Sequence, residues 1–79
     1  MITVVDYGMG NPRSVQRAFL RLGYRTGISD DPYTILRSDG VVLAGAGTFG
    51  TAMREITSRR LDDTLWEVAL RGIPLLGIG

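Results

Sequence analysis

Apolar runs and stretches of helical period alternate along this chain. Ile2 to Asp6 (ITVVD) is β-branched and apolar through Val5, which predicts a buried strand ending in a glycine turn, YGMGN. Asn11 and Pro12 then open a helix. Asn caps the free amides, and Pro fits the first helical position, where no N–H is needed. Val15, Ala18, Phe19 and Leu22 follow at helical spacing and predict the buried face, while Arg13, Arg17 and Arg21 lie on another. That arginine stripe reads as a solvated face, and Gly23 is placed to stop the helix.

Tyr24 to Ile28 alternates as a strand would, with Gly27 inside it, and Asp30-Asp31-Pro32 opens a turn or helical piece running to Leu36. Gly40 to Ala44 predicts the next buried strand. A glycine loop follows, then a helix from about Gly50 that carries Ala52, Met53 and Ile56 inward. Arg59 and Arg60 interrupt it. A second helix runs from about Asp62 to Arg71, with Leu61, Leu65, Val68 and Ala69 on one face. Asp62 and Asp63 at its start and Arg71 at its end suit the helix dipole. Gly72 closes it, and Pro74 to Ile78 reads as one more buried strand.

Non-alternating strands between helices argue for a parallel sheet covered on both faces, an α/β doubly wound fold. The last apolar strand has no helix after it within these residues. The expectation is therefore a doubly wound sheet truncated after about the fourth strand, part of a larger domain.

Composition narrows the chemistry. The 79 residues carry a net charge of +1, contain no Cys and no His, and draw all nine basic residues from Arg. Thiol nucleophiles, imidazole bases, Schiff-base lysines and the usual zinc ligands are thereby absent. Hydroxyls, carboxylates and backbone amides remain, and no metal or cofactor is expected. The near-neutral balance makes no electrostatic case for nucleic acid. No apolar run approaches the ~20 residues of a membrane span, and the first residues, MITVVDYG, show no secretory signal. With no cysteine framework, a cytoplasmic location is expected.

The stretch VVLAGAGTFG (Val41 to Gly50) spells G-x-G-x-x-G at Gly45, Gly47 and Gly50. In an NAD-binding domain that fingerprint occupies the first βα turn, and an acidic residue about 20 positions on binds the ribose. Here it follows the third strand, and the corresponding count reaches Trp66 and Glu67 inside a predicted helix. The first βα turn reads G-M-G-N-P-R, with Arg13 at the third glycine position. Both requirements fail. Two uses remain: an oxyanion hole built from backbone amides, or a tight strand-to-helix turn that needs glycine for its dihedrals.

Three segments point to one family. DYGMGN (Asp6 to Asn11) with RSV after Pro12, LAGAGTFGTAM (Leu43 to Met53) and GIPLLGI (Gly72 to Ile78) resemble the amino-terminal part of a class I glutamine amidotransferase. They are most similar to the glutaminase subunit of imidazole glycerol phosphate synthase, from histidine biosynthesis. That family opens I-D-Y-G-M-G-N-L-R-S-V, carries P-G-V-G-x-F-G after its third strand, and reads P-V-L-G-I-C-L-G-M-Q at its nucleophile.

The resemblance implies a flavodoxin-like fold and an enzyme in which a cysteine attacks the glutamine amide. A later His–Glu pair moves protons, and backbone amides hold the oxyanion. Ammonia then passes to a (βα)₈ synthase subunit. By the same resemblance, Gly45, Ala46 and Gly47 line the oxyanion and glutamine site, with the Ala46 N–H as donor. Asn11 would face the partner subunit.

The chain departs from the pattern at Pro12 (usually Leu), and at Ala44 and Ala46 (Pro and Val in the family). Gly79 stands at or next to the nucleophile: either it replaces Cys, or Cys-Leu is missing and Gly79 is the glycine that follows. An inactive truncated glutaminase subunit is thus expected. The alternatives are a non-catalytic binding or assembly module on the same half-domain and, behind it, an NAD-binding domain.

Overall fold

The computed structural model describes residues 1–8, 10–45 and 49–78. Eight elements follow in order: β1 (Ile2–Val5), α1 (Pro12–Arg21), β2 (Thr26–Ser29), α2 (Pro32–Leu36), β3 (Gly40–Ala44), α3 (Phe49–Ser58), α4 (Leu61–Leu70) and β4 (Leu75–Ile78). The strands form one all-parallel sheet in the order β2-β1-β3-β4. This is the α/β class that the alternation of runs predicts. β3 has the predicted bounds, while β2 lies one to two residues later than its alternating pattern suggested.

Register sorts the side chains. Thr3, Val41 and Leu75 stand in one row, and Val5, Leu43 and Gly77 in the next row on the same face. Right-handed crossovers place α1 on one face, and α2 and α4 on the other. Accordingly α2 packs on α4, whereas α1 packs on β1 and β2. The core lies on the α2–α4 face. Val5 and Val41 from the sheet meet Ile35 of α2, Ile56 of α3, and Leu61 and Val68 of α4, with Tyr7 beside them.

Two burial expectations are corrected. Residues of α1 are nowhere fully buried: Val15 and Phe19 are half-buried, Ala18 is exposed, and Leu22 is 72% exposed. The helix lies at the β2 side of the sheet, so little protein covers its flank. Leu22 is already the C-cap, beyond the last helical residue. On α3 Ile56 is buried as expected, while Ala52 is half-buried and Met53 exposed.

β4 is a strand as predicted, but all four of its residues are exposed. Among the described residues its sole ladder partner is β3, so one edge and much of both faces lack a neighbour. An apolar run predicts burial only when something lies on each side of it.

The helix ends follow local chemistry. Asn11 Oδ1 accepts from the Ser14 N–H at 3.3 Å, and Asp31 caps α2 through the Thr34 N–H at 3.2 Å. Arg60, in the left-handed region at φ 59°, makes the break between α3 and α4.

One buried polar link ties β1 to α2. The Ser38 hydroxyl donates to the Thr34 carbonyl at 2.9 Å and pairs with the buried Thr3 hydroxyl. A hydroxyl has one proton, so Thr3 must donate to Ser38. Ser38→Ala therefore strands a buried donor and is expected to cost about 1–3 kcal/mol. Thr3→Val leaves Ser38 bonded to Thr34 and is expected to cost about 1 kcal/mol or less. The double variant should be more stable than Ser38→Ala alone. Urea unfolding of the three variants checks the order.

Candidate functional site

In open parallel sheets, ligands bind beyond the carboxyl ends of the strands, where the strand order reverses. Here it reverses at β1, with β2 on one side and β3 on the other. The two loops that leave this point are the turn after β1, from Asp6 to Asn11, and the loop after β3, which opens at Gly45.

The first loop is held from several directions. The Asp6 N–H donates to the Ser29 carbonyl at 3.0 Å, and Asp6 Oδ1 accepts from the Gly8 N–H at 3.1 Å. Gly8 adopts φ +86°, and the Arg59 guanidinium lies so close that a Cβ on Gly8 would overlap it. The backbone angle favours glycine here, whereas the guanidinium is the end of a flexible side chain that can shift aside. Arg59 is also ion-paired with Glu55 at 3.7 Å. It thus brings the end of α3 against the first turn.

Tyr7 joins the two loops. Its ring is buried in the core, and its hydroxyl donates to the Ala44 carbonyl at 2.7 Å. One atom further on, the Gly45 N–H donates to the Ile78 carbonyl at 2.6 Å. Around these groups lies an apolar cavity of about 260 Å³, lined by Tyr7, Gly45, Met53, Ile56, Gly77 and Ile78 among others. It is open, and among the described residues no charged side chain lines it.

Of the residues singled out from the sequence, Gly45 lies at the rim of this cavity. Ala46 and Gly47 lie outside the described residues, as does Gly79. The residue before Gly79, Ile78, lines the cavity, so the end of β4 runs to the same place as the start of the glycine loop. Asn11 sits at the same end of the sheet, exposed, with its side-chain oxygen engaged in capping α1. Tyr7 and Arg59 were not foreseen. The available signal for Tyr7 was a phenol two residues past a strand, inside a turn with glycine at positions 8 and 10.

The dinucleotide reading gains nothing. Glu67 lies in α4 and accepts from Arg71 Nε at 3.0 Å, on a helix surface rather than at a strand end. Among the described residues no group of three or more acidic, His or Cys side chains is gathered to hold a metal ion. Nor is any described helix long and apolar enough to cross a membrane. Among the described residues the one clear electrostatic shift lies at the opposite end of the sheet. There a hydrogen bond from the Met1 ammonium, together with its charge, holds the Asp39 carboxyl below the usual range.

No protein-family model matches the chain. Individual relatives do. It is 49% identical over 77 residues to the imidazole glycerol phosphate synthase subunit HisH of Moorella thermoacetica, a match covering 98% of this chain and 37% of that protein. It is 51% identical over 78 residues to HisH of Bacillus mycoides, covering 99% of this chain and 37% of the relative. HisH of Symbiobacterium thermophilum is 46% identical over 77 residues, 98% of this chain and 36% of the relative.

The chain is a HisH homologue. HisH is the glutaminase subunit of imidazole glycerol phosphate synthase. The similarity takes in nearly every residue described above, and so both loops at the switch point. The chain spans a little over a third of the length of the HisH proteins it matches.

Proposed function

We propose that residues 1–79 are the amino-terminal part of a single glutamine amidotransferase domain. That domain belongs to a glutaminase subunit which supplies ammonia from glutamine to a (βα)₈ synthase subunit in histidine biosynthesis, in the cytoplasm. The observation that carries this reading is HisH homology at 46–51% identity along nearly the whole chain. The position of Gly45 and Ile78 on one cavity at the carboxyl ends of β3 and β4 supports it.

In this reading Gly45, Ala46 and Gly47 line the oxyanion and glutamine site, with the Ala46 N–H as the oxyanion donor, and the chemistry needs no cofactor. Gly79 falls at or beside the nucleophile position. Asn11 faces the synthase subunit from the same end of the sheet. These 79 residues hold no Cys and no His, so they do not hydrolyse glutamine by themselves.

A second reading has one observation in its favour, the exposed apolar edge of β4. It makes the chain a non-catalytic assembly module. Size-exclusion chromatography with light scattering, run with and without a bacterial synthase subunit, tests both. The leading reading expects a complex with the synthase that Asn11→Ala weakens. A discrete homodimer indifferent to the synthase would favour the module.

A further inference from the structure

We propose that Tyr7 is a positioning residue for the glycine loop, fixing the peptide from which that loop leaves β3. The inference rests on the loop being the oxyanion-holding one, but its structural content is independent of that. The ladder between β1 and β3 ends at the Val5–Leu43 pair. The Asp6 N–H faces the other way and continues the β2 ladder at the Ser29 carbonyl. The next main-chain donor toward β3 is the Tyr7 N–H, and among the described residues neither it nor another main-chain N–H bonds the Ala44 carbonyl.

The Tyr7 hydroxyl takes that place at 2.7 Å, from a side chain only 1% exposed. The same peptide unit carries the Gly45 N–H, which donates the other way to the Ile78 carbonyl at 2.6 Å. One peptide plane is gripped at both ends, from β4 by a main-chain bond and from the β1 loop by a phenol. A proline at position 44 would fix φ by its ring. Ala44 has no ring and Gly45 has no Cβ, so the two hydrogen bonds carry the constraint. The direction of the Gly45 amide, the first of the loop, then follows from Tyr7.

The test uses the isotopically labelled 79-residue chain and Tyr7→Phe, which keeps the ring and deletes the hydroxyl. Native-state amide exchange is read at Gly45 relative to Val4 and Val42, whose N–H groups face β2 and β1 inside the sheet ladder and report global opening. Gly45 is expected to exchange about five- to tenfold faster in that ratio, the factor of one net hydrogen bond. The Ala44 carbonyl carbon should shift upfield.

Tyr7→Leu, which also removes the ring, should accelerate all three amides. An unchanged ratio in Tyr7→Phe would reduce Tyr7 to a packing residue and overturn the proposal. An unsubstituted chain without protected β3 amides would overturn it as well. No glutamine enters the experiment, so a failed glutaminase reading, detected by ammonia release, is a separate result.

Discussion

Ile35→Ala is expected to cost roughly 2–5 kcal/mol, the range for emptying a fully buried branched side chain. At ~0.05–0.15 kcal/mol per residue, a chain of this length has only about 4–12 kcal/mol in total. The site is more exposed to this loss than most. Helix α2 has five residues, far too few to be helical without tertiary support, and Ile35 is its one buried residue. It fixes α2 against β1 and α4, and through the Ser38 hydroxyl that segment also reaches Thr3. Removing the side chain should release the helix along with the contacts it makes. With a urea slope near 1 kcal/mol per M for so small a protein, the midpoint should fall by about 2 M or more. Leu22→Ala, at an exposed apolar residue beyond α1, should change stability by no more than about 0.5 kcal/mol. Comparable effects at the two sites would contradict the placement of the core on the α2–α4 face.

That contrast marks what the sequence could convey about the fold. Element type was legible because it is set locally. Asn11 with Pro12 starts α1, Asp31 with Pro32 starts α2, and β3 coincides with its apolar run. Burial was less legible because it depends on neighbours. Val41-Val42-Leu43-Ala44 and Leu75-Leu76-Gly77-Ile78 read alike as apolar runs. The first lies between β1 and β4 and is largely buried, while the second, among the described residues, has only β3 beside it and is exposed throughout. Likewise, the spacing of Val15, Ala18, Phe19 and Leu22 gave the right helix, but of that face only Val15 and Phe19 are even half-buried. Nothing in that spacing says that the helix lies over β1 and β2, where its outer flank meets solvent.

The site was legible in its backbone and not in its side chains. Gly45 stands out because glycine spacing after a strand restricts what the loop can be. The role of Tyr7 depends on a contact 37 residues away, from its hydroxyl to the Ala44 carbonyl, which no local pattern records. Arg59 is similar: in the sequence it breaks a helix, and in the fold it closes on Gly8. Such contacts become visible only when β1 and β3 are known to be adjacent.

Given glutamine and a synthase subunit, the 79-residue chain is expected to release no ammonia above a synthase-only control. A complete glutaminase divides the reaction between a nucleophile, a base and an oxyanion hole, and these groups act as a unit. In a comparable hydrolase, losing the nucleophile or the base alone costs roughly 10⁶-fold, about as much as losing the whole triad. What survives, roughly 10³–10⁴ over the uncatalysed rate, comes from the oxyanion hole and binding. This chain has at most that remnant, because it contains neither Cys nor His. The same non-additivity makes a sharper claim about Gly79→Cys. A thiol alone, with an ordinary pKa near 8.5 and no imidazole to take its proton, should leave ammonia release at the control level. A coupled glutamate dehydrogenase assay reads both proteins, with a HisH from one of the matched bacteria as the positive control. Turnover by the unsubstituted chain would mean that its hydroxyls or carboxylates do the work of the thiol, and the proposal of an inactive glutaminase segment would fall. Turnover by Gly79→Cys alone would mean that the glycine loop and a thiolate suffice without a general base.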